Sequence, residues 1–201
     1  MDKQTCKLVA CIAENLPMMS SGVMQGWIDN PKGLQNFLSG LCSLEEQVLI
    51  SLGSETVTLA RPHDPDTFYR TRSGLYVWDD YRSNVVKLAR PTATGTKFKI
   101  SRFELGCNAI DEKIENALYN NHLFDESSVC AIVAELIARQ PNGKMGLLVN
   151  NGRAANLFYT SSRVVRVFWY ADGLRWDVGA WLRFEFGLVA GLRVFSPATE
   201  T

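Results

Sequence analysis

The sequence predicts an α+β fold that ends in an amphipathic helix packed on a C-terminal antiparallel β-meander. Between residues 125 and 140, apolar side chains recur at i, i+3, i+4, i+7 and i+8, which is the spacing of one helix face. Beyond residue 141, short apolar runs are separated by two Asn-Gly pairs and one Asp-Gly pair, which favour tight turns. Because the links are too short for parallel crossovers, we predict about five antiparallel strands there.

The N-terminal part, residues 1–52, is predicted to be a module of short helices. A helix over residues 4–15 ends before a proline, which has no backbone donor. A second helix begins at Asn30, whose side chain can cap the free amides, with Pro31 in the first helical position. A third short helix is predicted from Ser43 through Leu49.

The central part, residues 54–105, is predicted to be a small β-rich segment. Its clearest strand signal is the alternation of polar and apolar side chains over 97–103. Clusters of β-branched or aromatic residues predict further strands, and the remaining elements are strands at 56–59, 68–70 and 75–78 and a helix at 81–89. The last part, residues 106–197, holds a short helix at 110–118, the long helix and the meander. We leave open whether 54–105 and 106–197 share one core.

The predicted meander has two chemically different faces, because side chains alternate along a strand. Its strands are predicted at 145–150, 154–160, 163–170, 174–183 and 188–195. Apolar side chains such as Val167, Trp176, Leu188 and Val194 are assigned to the face under the long helix. The other face mixes arginines with aromatic residues and is our candidate interaction face: Arg166, Phe168, Tyr170, Arg175, Asp177, Trp181, Arg183 and Arg193. Tryptophan, tyrosine and arginine dominate the binding energy of protein interfaces.

Two structural explanations compete with an interaction role for this face. Arginine beside Asp177 and arginine over aromatic rings would stabilise a solvent-facing sheet by roughly 0.2–1 kcal/mol per pair. Alternatively, residues 54–105 would cover the face. Its exposure in the folded protein therefore bears directly on its role.

A second candidate surface lies in the N-terminal module, where Met18, Met19, Met24 and Trp27 cluster around a proline and a glycine. Flexible thioethers suit a surface that adapts to a partner, so we predict a docking patch here. The competing explanation is that these side chains fill a gap in the core.

Residues that usually carry catalysis or metal binding are sparse. The two histidines, His63 and His122, fall in separate regions. The string His63-Asp64-Pro65-Asp66 predicts an Asx-type turn rather than a metal site. The sequence contains no phosphate-binding loop, dinucleotide fingerprint, nucleophile elbow or zinc-protease motif. We therefore assign no catalytic, cofactor-binding or metal-binding residues and expect no cofactor, and the sequence weighs against an enzyme.

Charge and cysteine content restrict the environment and the partners. The formal net charge is zero, which weighs against a general nucleic-acid binder, since such proteins carry an excess of basic residues. The five cysteines are odd in number and contain no Cys-x-x-Cys pair, as expected for reduced thiols in the cytoplasm. No apolar run approaches the ~20 residues of a membrane span. We predict a cytoplasmic protein without membrane contact.

Six short strings are spread along the chain: ENLPMMS at 14–20, VMQGWI at 23–28, NPKGLQ at 30–35, GLYVW at 74–78, QPNG at 140–143 and RVFSP at 193–197. They resemble stretches of an uncharacterised family of hypothetical proteins predicted from uncultured bacterial genomes. The resemblance implies a bacterial protein and an N-terminal segment that is reused before differing C-terminal parts. It implies no activity, cofactor or site residues.

The first functional prediction is a non-enzymatic protein whose partner is another protein, bound through the candidate interaction face. The alternative is a small-ligand binder or enzyme with a cleft between the central sheet and the meander, which a pocket at His63 or His122 would favour. A weaker alternative is local nucleic-acid contact, provided that basic residues gather on one surface: Arg61, Arg70, Arg72, Lys97, Lys99 and Arg102. The sequence indicates neither the biological process nor the oligomeric state.

Overall fold

The computed structural model describes residues 20–33, 35, 47–118, 121–152, 154–183 and 187–198. The chain divides into two compact units, Met1–Glu45 and Glu46–Thr201. Helices and one large mixed sheet make it a mixed α/β protein, which agrees with the predicted class at this level. The first strand begins at Leu49, before the predicted end of the helical module at residue 52.

The described part of the first unit contains helix α1 (Ser21–Asp29). Asn30 follows it, and its side-chain oxygen accepts a hydrogen bond from the Gly33 amide at 2.9 Å. This bond is the predicted cap of the next helical segment. The predicted helix over 4–15 and the start of the one after Ser43 lie outside the described residues.

The second unit is built on a seven-stranded sheet. Its described residues form nine strands: β1 (Leu49–Thr58), β2 (Leu75–Val77), β3 (Lys97–Leu105), β4 (Ala109–Ile110), β5 (Asn156–Tyr159), β6 (Arg163–Tyr170), β7 (Arg175–Leu182), β8 (Gly187–Leu188) and β9 (Arg193–Pro197). The order in the sheet is β1-β3-β9-β5-β6-β7-β2, and β4 pairs with β8 in a separate ribbon. β9 is parallel to β5 and β2 is parallel to β7, whereas the other neighbours are antiparallel.

The described helices of this unit alternate with the strands along the chain. They are α2 (Pro65–Phe68), α3 (Asp79–Asn84), α4 (Asp111–Ala117) and α5 (Glu126–Arg139), with 3₁₀ turns at Val86–Leu88 and Pro141–Gly143. The predicted helices at 110–118 and 125–140 correspond to α4 and α5. The predicted helix at 81–89 is divided between α3 and the 3₁₀ turn that follows it.

The C-terminal strands do not form the predicted meander. β5, β6 and β7 follow one another in antiparallel order, but β9 lies between β3 and β5 and is parallel to β5. The predicted strand over 188–195 is interrupted by a turn in which Gly191 adopts a φ of 86°, a conformation that side-chain-bearing residues avoid. Residues 145–150, also predicted as a strand, form none.

Two buried amide side chains take the place of a strand partner along this irregular segment. The Gln140 oxygen accepts from the Leu148 amide at 2.8 Å, and its nitrogen donates to the Lys144 and Leu148 carbonyls at 2.8 and 3.0 Å. Asn156 bonds the amide and carbonyl of Val149 in the same way, at 2.8 and 3.1 Å. Buried backbone groups need such partners, so these two side chains hold residues 145–150 in place without the hydrogen bonds of a neighbouring strand.

The central strands join the same sheet instead of forming a small sheet of their own. β1 and β3 extend it beyond β9, and β2 adds to the opposite edge beside β7. Residues 68–70, predicted as a strand, lie at the end of α2. Asp64 caps that helix by accepting from the Asp66 amide and the Thr67 hydroxyl, with Pro65 in the first turn. These start signals outweigh the strand preference of the aromatic residues.

Both faces of the sheet carry a buried cluster. On the first face, α5 packs against side chains that include Val167, Trp176 and Phe195. On the second face, α4 and the β4–β8 ribbon contribute to a cluster with Leu157 and Val194. The second face is thus partly covered, by residues 105–118 and 187–192 rather than by the central strands, which lie in the plane of the sheet.

Candidate functional site

Most of the predicted interaction face lies on the second face of the sheet. The strands β6 and β7 pair in a register that places these side chains across from one another: Arg166 with Gly179, Phe168 with Asp177, Tyr170 with Arg175, and Val164 with Trp181. Side chains paired in this way project from the same face. The structure therefore brings together six of the predicted residues: Arg166, Phe168, Tyr170, Arg175, Asp177 and Trp181.

Strand β2 adds two aromatic residues that sequence reasoning did not assign to this face. Tyr76 pairs with Asp177, and Trp78 continues the strand by donating its amide to the Val178 carbonyl at 2.9 Å. Trp78 lies over Gly179, where a Cβ would be 3.3 Å from the indole Cδ1. The rings of Tyr76 and Trp78 meet edge to face, with centroids 5.7 Å apart. We call the uncovered set the Arg/aromatic face: Tyr76, Trp78, Arg166, Phe168, Tyr170 and Arg175.

Arg175 is held from three sides on this face. Its Cζ lies 4.7 Å from the Tyr76 ring centroid and 5.1 Å from the Tyr170 centroid. Its Nε donates to Asp177 Oδ1 at 2.8 Å, and the Asp177 carboxylate is buried beneath it. Stacking and charge pairing both stabilise this arrangement, so the charge of Arg175 is already compensated within the fold.

Arg166 makes no equivalent ion pair with a carboxylate among the described residues. Its Cζ lies 4.5 Å from the Phe168 ring centroid and 5.8 Å from the Trp181 centroid. Among the described residues, its guanidinium makes no hydrogen bond or ion pair. The residue as a whole is exposed, yet burial of the guanidinium lowers the pKa of Arg166, while the Asp177 carboxylate opposes this effect. A cation is thus stacked on apolar rings and remains open to an acidic group from outside.

A small cavity of about 280 Å³ opens beside Arg166. Its wall is mainly apolar and includes Leu157, Leu188 and Val189, with Trp181 on one side. Small-molecule sites usually enclose roughly 300–1,000 Å³, so this cavity suits only a small ligand. A cation at the mouth of an apolar cavity favours a carboxylate attached to an apolar body.

Arg193, predicted on the same face, lies on the opposite one. The register pairs Arg193 with Glu104, and their Nη2 and Oε2 atoms are 3.8 Å apart. Two residues later, Phe195 stacks on Phe158 in the first-face cluster, with centroids 4.5 Å apart. The even-numbered residues Leu188, Leu192 and Val194 stay together as predicted, but they lie in the second-face cluster instead of under the long helix. The face assigned to this strand was wrong, because β9 lies between β3 and β5, where both faces of the sheet are buried.

Arg183, the remaining predicted residue, follows β7 and enters a polar cluster with Glu115. Its Nε donates to Glu115 Oε1 at 3.0 Å, and its Nη2 also contacts Oε2. His122 Nε2 lies 2.9 Å from the same Oε2 atom. One helical turn earlier, Asp111 accepts from the Tyr159 hydroxyl at 2.9 Å. Burial, reinforced by the nearby Asp111 carboxylate, raises the pKa of Tyr159 far above its ordinary value.

This polar cluster acts as an internal ion-pair network. Glu115 has a side chain only 7% exposed and is bound on both sides by Arg183 and His122. These three contacts occupy most of the acceptor capacity of the Glu115 carboxylate. His122, one of the two histidines that the alternative prediction singled out, therefore bridges a loop to α4.

His63 lines a separate cavity of about 490 Å³ beside α5. His63 is 6% exposed, and its ring contacts those of Phe68 and Tyr69 at centroid distances of 5.7 and 5.8 Å. Its Nε2 is buried without a hydrogen-bond partner in the described part of the chain. Burial lowers the pKa of His63 to about 4, with the Asp64 carboxylate opposing the shift.

We expect this buried imidazole to make the protein less stable in mild acid. The unfolded chain protonates His63 near its ordinary pKa of about 6.5, before the folded chain does at about 4. The contribution of the buried, neutral His63 to the free energy of unfolding is therefore fully present above pH 6.5, and it is lost as the pH falls towards 4. At pH 5 the loss is on the order of 2 kcal/mol.

The variant His63→Leu removes both the titration and the unpaired nitrogen. Urea unfolding of the wild type and of His63→Leu at pH 7 and pH 5 measures the difference directly. The wild type should lose more free energy of unfolding between the two pH values than the variant, since all other ionisable groups are common to both. Equal losses would mean that His63 titrates normally in the folded protein.

The basic residues within 61–102 do not gather on one surface. Lys97 and Lys99 alternate with first-face side chains of β3 and so project from the second face. Arg102 lies on the first face, where its Nη2 is 3.8 Å from Glu55 Oε2. Arg61 lines the His63 cavity. The condition for a nucleic-acid surface made of this whole set is therefore not met.

Two further features concern metal ions and membranes. Among the described residues, no group of three or more histidine, cysteine, aspartate or glutamate side chains is arranged to hold a metal ion. No described helix combines the length and the apolar character needed to cross a membrane. In the predicted docking patch, Met18 and Met19 lie outside the described residues, while Met24 and Trp27 belong to α1. That patch stays a prediction.

Comparisons with protein-family models, curated proteins and solved structures find no match. The resemblance to an uncharacterised bacterial family therefore stays a prediction, and the function rests on the geometry described above.

Proposed function

We propose that the protein is a non-enzymatic interaction protein that binds another protein through its Arg/aromatic face. The observation that carries this proposal is the contrast between two arginines on one surface. Arg175 makes a direct ion pair with Asp177, whereas Arg166 lies over aromatic rings and makes no ion pair among the described residues, although the Asp177 carboxylate acts on it from a distance. A partner that places an acidic side chain at Arg166 would supply a direct charge pair.

The surroundings of Arg166 favour a macromolecular partner. Trp78 is 47% exposed and Tyr170 is 40% exposed, so two large rings lie on the open part of the same face as Arg166. Rigid aromatic side chains lose little conformational entropy on binding and are enriched with arginine at interface hot spots. The expected interface therefore has aromatic anchors around a charge pair at Arg166.

The cytoplasm is the proposed location because Cys130 is a buried, reduced thiol. Burial raises the pKa of the Cys130 thiol to about 12. Such a thiol is inert and forms no disulfide, as is usual in a reducing compartment.

A site-specific crosslinker tests the protein-binding proposal. We expect a photoreactive phenylalanine derivative at Tyr170 to capture one discrete partner in the cells that produce the protein. Adding Arg166→Gln should reduce capture at least tenfold, since a charge-assisted pair contributes about 1.5–3 kcal/mol. Lys99→Gln, which removes an exposed cation outside the Arg/aromatic face, should leave capture unchanged. Equal capture by all three proteins would contradict the proposal.

A second candidate function is binding of a small carboxylate, and the 280 Å³ cavity beside Arg166 favours it. Benzoate and phenylacetate are suitable probes, with the Trp181 indole resonance as the readout. The variant Val189→Trp separates the two functions, because Val189 is 58% exposed and lines the cavity. Filling the cavity should abolish binding of a small carboxylate while sparing a protein partner, whereas Arg166→Gln should impair either one.

A further inference from the structure

A second concave site lies between the loop that follows α2 and the segment from α3 to the 3₁₀ turn. It is an open concavity of about 560 Å³. Three cationic side chains line it, Arg70, Arg82 and Lys87, against one carboxylate, Asp66. Gathering like charges around one cavity costs free energy, which a bound anion would offset.

Arg82 and Thr71 present hydrogen-bond donors to this cavity. The Thr71 hydroxyl oxygen accepts from Arg82 Nη2 at 2.6 Å and from the Val77 amide at 3.3 Å, which leaves its own hydrogen to donate. Arg82 Nε is buried and has no hydrogen-bond partner among the described residues. Asp79 lies 3.9 Å from Arg82 Nη1 but is 98% exposed, so it neutralises the guanidinium only weakly.

The other walls add charge and an apolar surface. Arg70 donates through Nε to the Asp66 carbonyl at 3.1 Å, which orients its guanidinium and leaves its terminal nitrogens available. Lys87 is exposed at the rim. Tyr69 and Val86 are buried side chains of the first-face cluster, and they line the cavity as well.

We propose that this cavity binds the phosphate group of a small phosphorylated molecule. Guanidinium groups match the geometry of phosphate oxygens, and lysine and a hydroxyl add further donors. The volume falls within the ~300–1,000 Å³ of small-molecule sites, so an organic body fits against Tyr69 and Val86. The site is built around first-face residues and is separate from the Arg/aromatic face, and its ligand is independent of the proposed protein partner.

Titration with phenyl phosphate at constant ionic strength tests the proposal, with the amide resonances of Thr71 and Val77 as the readout. We expect saturable shifts, weaker binding of inorganic phosphate, and none of phenol. Arg82→Gln should weaken binding at least about tenfold. Lys87→Gln should weaken it severalfold and keeps every hydrogen bond of the loop, so it separates ligand binding from local folding. Lys99→Gln, on an exposed strand position, should have no effect.

Three results would overturn the proposal: no saturation with phenyl phosphate, equal binding of phenol, or equal weakening by Lys99→Gln and Lys87→Gln. A ten-nucleotide deoxythymidine strand distinguishes the source of the phosphate. If that strand binds more tightly than phenyl phosphate, with a steep dependence on salt, the cavity is part of a nucleic-acid site and the small-molecule assignment is wrong.

Discussion

Replacing Glu115 with alanine is expected to lower the free energy of unfolding by about 3–5 kcal/mol. The Arg183 side chain is 19% exposed and would lose two hydrogen bonds to the removed carboxylate. His122, 14% exposed, would lose its bond as well. Removing one partner of a buried ion pair takes the opposite charge away from the other, and this penalty exceeds the loss of the pair itself. Arg183 keeps its hydrogen bond to the Ser161 carbonyl at 2.8 Å, but that acceptor carries no full charge.

Urea unfolding at pH 7 measures this effect, and α4 offers a matched control. Glu112 is exposed on the same helix, and Glu112→Ala should change stability by no more than about 0.5 kcal/mol. Glu115→Gln keeps the shape of the side chain and one acceptor oxygen. Its loss of free energy of unfolding should therefore lie between zero and that of Glu115→Ala. In the double variant Glu115→Ala/Arg183→Met the losses should be less than additive. A loss below about 1 kcal/mol for Glu115→Ala would place the pair among ordinary surface ion pairs.

Gln140→Ala is expected to cost about 3 kcal/mol, because the amide serves three backbone groups. Leu148 is 1% exposed, and without Gln140 both its amide and its carbonyl would be buried without a partner. The Gln140 main-chain carbonyl, which accepts from Trp176 Nε1 at 2.9 Å, is retained in the variant. The cost should therefore be confined to the segment after α5.

Hydrogen exchange locates this effect to single residues. The Leu148 amide should exchange much faster in Gln140→Ala than in the wild type, whereas the Val149 amide, bound to Asn156 at 2.8 Å, should keep its protection. Lys144→Ala removes an exposed side chain in the same segment and should leave both the stability and the Leu148 amide unchanged. Unchanged exchange at Leu148 in Gln140→Ala would show that the amide does not hold this segment.

Features of the fold that depend on local periodicity could be predicted from the sequence. The apolar stripe of α5 and the alternation along β6 and β7 are properties of neighbouring residues, so the grouping of Arg166, Phe168 and Tyr170 on one face followed directly. The cap at Asn30 is equally local. None of these required knowledge of a distant part of the chain.

Features that depend on distant segments could not be predicted in the same way. The parallel pairing of β2 with β7 brings Tyr76 and Trp78 to the Arg/aromatic face, and nothing in residues 74–78 specifies that neighbour. Glu115 and Arg183 likewise come from segments 68 residues apart. Arg193 was assigned to the wrong face because both faces of the sheet are buried where β9 lies, so the apolar alternation of this strand does not indicate which side the long helix covers.

The position of β9 has a consequence for how the chain reaches its native state. Within the described sheet, β3 and β5 are connected only through β9, which pairs with both. Until β9 docks, β1 can pair with β3, and β5, β6 and β7 can pair with one another, but the two groups remain unjoined. Two unpaired strand edges are exposed throughout that interval, which is when a folding chain is most prone to associate with its neighbours and most dependent on chaperones.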